Sequence, residues 1–215
     1  MNITRTSLIG SLLVTSLAFA APALAGPPLL CFPFETSGAK TLPMKSGDWK
    51  AVDPTYDISH LTADTLSLLT PSTPVVARME TLRRATIYAA TNPRQAETLL
   101  SALQERAAAK TPTAGSAVFD FGYLVETYKQ ATFMFASPVK ALADIDGYQL
   151  VLKAAALESD PAMEFGAAVI TQGSTNITMR AASREHLDRA LAGAKNDALL
   201  NASVTKHFRT TGELR

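Results

Sequence analysis

Proline decides most of what this chain can fold into. It has no backbone N–H and its ring clashes with the preceding turn, so a helix rarely runs through it unbroken. Beyond residue 57 there are six: Pro71, Pro74, Pro93, Pro112, Pro138 and Pro161. Each lies where one apolar stripe of helical period stops or the next begins. Ile58, Leu61, Thr65, Leu68 and Leu69 form the first stripe, with Asp57 as N-cap and Pro71 as its end. Thr73-Pro74 and Asn92-Pro93 each place a capping residue before a proline at the first helical position. The helices they open have inner faces of Val75, Val76, Met79, Leu82, Thr86, Ile87 and Ala90, then Ala96, Leu99, Leu100, Leu103 and Ala107. A loop from Thr111 to Gly115, with Ser116 as cap, leads into Ala117 to Ala136. That stretch is apolar on most sides, which predicts a helix central in the fold, closed by Ser137-Pro138.

Further helices are predicted from about Asp144 to Glu158, from Asp160-Pro161 to just before Gly173, from Ser183 to Ala194, and from about Asn196 to Phe208. Gly173 to Met179 reads as loop or short strand, and residues 210–215 as a frayed tail. Alanine is abundant and aromatics are only 7% of the chain, which favours helices packed through small side chains over a β-sandwich. The expected fold is all-α: about eight helices in antiparallel hairpins, forming a single domain over 57–209. Asn92-Pro93 and Asp160-Pro161 stand 68 residues apart, twice the period of about 34 in tetratricopeptide hairpins. The Trp, Leu-Gly and Tyr marks of that repeat are absent, so both a helical-hairpin array and an irregular bundle remain open.

The chain's start carries a different message. Arg5 is followed by an apolar run from Leu8 to Ala21, then Pro22 and the small-residue pattern Ala23-Leu24-Ala25. These are the parts of a secretory signal peptide, cut after Ala25. The run is too short and interrupted for a bilayer core, which takes roughly 20 apolar residues. The expectation is an exported protein, periplasmic or extracellular, with no integral membrane segment after processing. Residues 26–56 then form a Pro/Gly-rich extended arm, and Leu29, Leu30, Phe32, Phe34 and Trp49 imply that it packs on the helices.

Arg5 is the only charge in the first 25 residues, so the processed chain has 19 basic and 19 acidic residues. That balance gives no electrostatic reason to expect nucleic acid or an anionic membrane as partner. One cysteine excludes an intramolecular disulfide. Flanked by Leu29, Leu30 and Phe32, Cys31 reads as a buried structural thiol. Lipoprotein processing needs a small residue before the cysteine, and Leu30 stands there.

Catalytic patterns are hard to find. There is no His-Glu-x-x-His, no Gly-x-Ser-x-Gly and no glycine-rich phosphate loop. Glu185-His186-Leu187-Asp188 reads as a solvated helix face rather than a ligand set. Asp144-Ile145-Asp146-Gly147 fails as a calcium loop because Lys153 stands where an acid is required, and reads as a turn before a helix N-terminus. No catalytic residue, cofactor or metal is therefore assigned. The densest charge is Arg78, Glu80, Arg83 and Arg84, with Glu126 and Lys129 on the central helix. One reading is a solvated face whose charges pair locally at spacings of three and four. The other is an arginine-lined groove for a carboxylate or peptide terminus. The candidate ligand- or partner-binding residues are Glu80, Arg83, Arg84 and Cys31.

The stretch Gly26-Pro27-Pro28-Leu29-Leu30-Cys31-Phe32-Pro33-Phe34, with Met79-Glu80-Thr81-Leu82-Arg83-Arg84-Ala85, resembles uncharacterised exported bacterial helical proteins. The resemblance implies bacterial origin and export, and no activity. Phe32 follows the cysteine where a Cys-His ligand pair would need histidine. Two functions remain as expectations: a non-enzymatic exported interaction or scaffold protein with a protein or peptide partner, or an enzyme or small-ligand binder at the Glu80/Arg83/Arg84 helix.

Overall fold

The computed structural model describes residues 26–109, 114–135, 142, 144–172, 174, 176–212 and 214. The leader expected over 1–25 lies outside them, as do Thr111–Thr113, Ser137-Pro138 and Gly173. After a short 3-10 turn, Ile58–His60, come eight helices: α1 Leu61–Leu68, α2 Val75–Ala89, α3 Pro93–Ala108, α4 Ala114–Phe135, α5 Gly147–Glu158, α6 Pro161–Thr171, α7 Ile177–Ala194 and α8 Ala198–Thr210. The described residues contain no strand.

Side-chain caps set most starts, each carboxylate or amide oxygen accepting an orphan backbone N–H of the first turn. Asn92 accepts from the amide of Gln95, Asp146 from Gln149, Asp160 from Ala162, and Asp197 from Leu200. Three starts differ from expectation. Thr73 does not cap α2; its hydroxyl donates to the Leu68 carbonyl at 2.7 Å, and Pro74 takes the cap position without a side-chain bond. Ser116 lies inside α4, its hydroxyl donating to Glu158 Oε2 at 2.7 Å. Helix α7 begins at Ile177, capped by Asn176, so the end of the expected loop or strand is helical.

One apolar cluster takes residues from the arm and from all eight helices. Helix α4 is central as expected, packing on α2, α3, α5 and α6. Helix α2 is equally central and reaches α1, α3, α4, α6 and α8. A hairpin array would join only sequence neighbours; the α2–α6 and α2–α8 contacts make this an irregular bundle. Helices α4 and α5 cross on glycine: a Cβ on Gly122 would lie 2.7 Å from the Gly147 carbonyl oxygen.

Residues 26–56 form no helix or strand, yet Leu29, Leu30, Phe34 and Leu42 are buried. Burying a side chain of this size contributes about 1.5–3 kcal/mol. The arm lies over the outer side of α2. As a result every residue of α2 is buried except Arg84, and the solvated charged face expected for this helix does not exist.

Candidate functional site

Covering α2 puts its charges in the interior. Glu80 and Arg83 are 0% and 1% exposed. Arg83 grips the carboxylate with both faces of its fork, Nε to Oε2 at 2.7 Å and Nη2 to Oε1 at 2.9 Å. Arg84 Nε adds a third bond to Oε1 at 2.6 Å, and the amide of Phe34 a fourth to Oε2 at 3.0 Å. Other guanidinium hydrogens go to the arm. Arg83 Nη1 donates to the carbonyls of Leu30 and Trp49, both at 2.9 Å, and Arg84 Nη1 to that of Leu42 at 2.6 Å. The local pairing foreseen at spacings of three and four is present, but it is a buried clasp that fastens the arm to α2.

A groove of about 540 Å³ opens beside the clasp, between Met44, Lys45, Asp48 and Trp49 of the arm and Arg84. Both Glu80 oxygens and the Arg83 fork already have partners inside the chain. The groove therefore meets no unengaged acid–base pair from that set. Cys31 is half-buried rather than buried, its Sγ lying over Gly26, which takes φ +86°. Burial pushes the thiol's pKa up, and the nearby Arg83 charge only partly offsets this; such a thiol is a poor nucleophile.

A second buried cluster lies on the other side of α2. Asp120 of α4 is fully buried and accepts from Arg78 Nη1 at 2.7 Å on Oδ2. Arg78 also donates to the carbonyls of Thr73 and Thr70. Arg106 of α3 approaches the same oxygen at 3.7 Å and donates through Nη2 to the Leu69 carbonyl. Among the described residues, Asp120 Oδ1 and Arg106 Nη1 have no hydrogen-bond partner. Burial pushes the Asp120 carboxyl up to about 7 against the pull of Arg78 and Arg106. No sequence pattern marks this pair, whose members are 42 residues apart.

Two histidines also prove structural in unforeseen ways. His186 turns inward while Glu185 and Asp188 stay exposed, so the Glu-His-x-Asp set does not converge. Its Nδ1 meets Glu164 Oε2 at 2.6 Å and its Nε2 meets the Tyr148 hydroxyl at 2.7 Å. Arg189 Nη2 also lies 2.6 Å from Nδ1, so a carboxylate and a guanidinium converge on the same ring nitrogen. Burial pushes Glu164 up, but the bonds from His186 and Arg189 outweigh it and hold the carboxyl below its ordinary range. Burial also pushes the Tyr148 phenol up. The proton stays on the Tyr148 oxygen, and the chain ties α5, α6 and α7 together rather than arming a nucleophile. His207 is buried among aromatic rings at the α8–arm contact.

Among the described residues, no group of three or more His, Cys, Asp or Glu side chains is placed to hold a metal ion, and no helix is long and apolar enough to cross a membrane. No protein-family model, curated protein or solved structure matches the chain.

Proposed function

We propose that this chain is an exported, non-enzymatic helical protein that acts by binding a protein or peptide partner. One observation carries the reading: the charged set Glu80, Arg83 and Arg84 is engaged within the chain itself, in a clasp that holds the arm. The alternative, an enzyme or small-ligand site on that helix, loses the free groups it would need. Support for a binding surface comes from the C-terminal part of α4, where Phe133 is 89% exposed. It borders a groove of about 460 Å³ with Pro27, Pro28, Gln130 and Ile170. Met134 beside it is also exposed, and it is contiguous apolar surface of this kind that marks interaction sites. Export is supported by the leader pattern ending at Ala25 and by the resemblance of the Gly26–Phe34 stretch to exported bacterial proteins.

The test is affinity capture from a native envelope fraction with residues 26–215 as bait, beside a Phe133→Asp bait. A protein captured by the first and lost with the second supports the reading. If no protein survives the controls, or both baits capture the same set, the reading falls. N-terminal sequencing of the exported form should begin at Gly26; an unprocessed chain would overturn export by this route.

A further inference from the structure

His207 of α8 is 4% exposed and enclosed by four rings. Phe34 stacks on it with centroids 5.4 Å apart and planes 19° apart. Phe32, Phe165 and Phe208 meet it edge-on at 5.7, 5.8 and 5.2 Å. Two of the four rings belong to the arm. The imidazole has one hydrogen bond, between Nε2 and Gln172 Oε1 at 2.8 Å. The amide nitrogen of Gln172 is directed to Thr211 Oγ1, so Oε1 is the acceptor and Nε2 carries the hydrogen. Nδ1 is then a bare acceptor with no partner among the described residues.

A second proton would have to go on Nδ1, where no described residue accepts from it. Among the described residues no unpaired carboxylate is placed to receive the charge. On the arm, Glu35 pairs with Lys206 of α8 at 3.5 Å on the exposed side. On α6, Glu164 is held by His186 and Arg189, and on α2, Glu80 is held by Arg83, Arg84 and the Phe34 amide. Arg209 of α8 is exposed and of the same sign as an imidazolium. The face of Phe34 gives a cation some return, but far less than the water it would lose. Burial accordingly lowers the imidazole to about 4.

We propose that His207 is an acid-operated latch on the arm: a proton on Nδ1 expels Phe32 and Phe34 from the ring box and releases the Phe32–Glu35 stretch while the helical bundle stays folded. The geometry favours local release over collapse. The arm rings are the two walls that can leave without breaking a helix, and release gives up few bonds: Ser203 Oγ to the Glu35 carbonyl at 2.9 Å, the exposed Lys206–Glu35 pair at 3.5 Å and the Phe34 amide to Glu80 at 3.0 Å. Asp120, deep between α2, α3 and α4, binds a proton more readily in the folded state, so acid does not undermine the bundle there.

The test is hydrogen exchange of the purified protein between pH 7 and pH 4, corrected for intrinsic rates. The Phe34 amide, which donates to Glu80, reports the arm, and the amides of Leu124 and Val125 report α4. Wild type should lose Phe34 protection on the order of 100-fold across this range, the factor that the displacement of the His207 titration sets. The α4 amides should hold. In His207→Phe and His207→Gln, Phe34 protection should stay within about threefold. Simultaneous loss at Phe34 and α4 overturns the latch in favour of global acid unfolding. A variant that keeps the wild-type pH dependence overturns His207 as the sensor. If neither variant folds, the wild-type His207 ring, followed by NMR, must titrate with the same midpoint as the Phe34 loss; separate midpoints refute the proposal.

Discussion

Glu80 and Asp120 are both fully buried carboxylates held by arginines of α2, and they are held very differently. Glu80 receives four donors shared over its two oxygens, and its arginines are completed by carbonyls of the arm. Among the described residues, Asp120 has one close donor on Oδ2 and none on Oδ1. Depth of burial is the same, so the contrast isolates the supply of partners. Where donors saturate the carboxylate, a buried charge becomes a fastening. Where they do not, desolvation wins and the carboxyl rises to about 7.

The strongest way to break that contrast is Glu80→Gln. It leaves Arg83 buried without a countercharge and weakens the bond from Phe34, so urea unfolding should show a loss of about 3–5 kcal/mol. Asp120→Asn should cost only about 1–2 kcal/mol at pH 7, since that carboxyl is already part protonated and poorly satisfied. An equal or larger loss for Asp120→Asn would reverse the comparison.

Acid titration sharpens it next. The carboxyl of Asp120 rises from 3.8 to about 7 on folding, so its contribution is fully present below pH 3.8 and is lost as pH rises through 7. His207 has the opposite sign. Its imidazole falls from 6.5 to about 4, so stability present above 6.5 is lost as pH drops towards 4, by about 3 kcal/mol. The two groups oppose each other across this window. Relative to wild type, Asp120→Asn should therefore lose stability between pH 7 and 4, and His207→Phe should gain it, each by about 3 kcal/mol or less in paired urea titrations. Parallel curves for both variants and wild type would refute these assignments.

The smallest effect belongs to Arg106→Gln. That guanidinium is about a quarter exposed and stands 3.7 Å from Asp120, so its removal should cost about 1 kcal/mol or less by thermal unfolding. A loss above about 2 kcal/mol would mean that Asp120 depends on Arg106 as Glu80 depends on Arg83.

Local signals were legible and returning ones were not. Asn92 and Asp160, each followed by a proline, announced helix starts because a cap is satisfied within three residues of itself. Glu80, Arg83 and Arg84 announced their pairing for the same reason. Their burial was invisible, since it depends on Phe34, Leu30 and Leu42 arriving from 42 to 53 residues away. Thr73 and Ser116 misled because a hydroxyl in a cap-like setting can serve a distant acceptor instead, here Leu68 and Glu158. Asp120 carries no local cue, and His207 looks like an ordinary helical histidine until Phe32 and Phe34 close over it.

The bond from Ser203 to the Glu35 carbonyl joins positions 168 residues apart. Closing so long a loop is entropically expensive, by about 0.6 kcal/mol for every doubling of length, and such contacts form slowly. During synthesis the ring box cannot be complete until α8 has emerged. Phe32 and Phe34 thus wait for the last helix before their ring box can close, whereas Leu30 can meet Arg83 and Ile87 of α2 long before that.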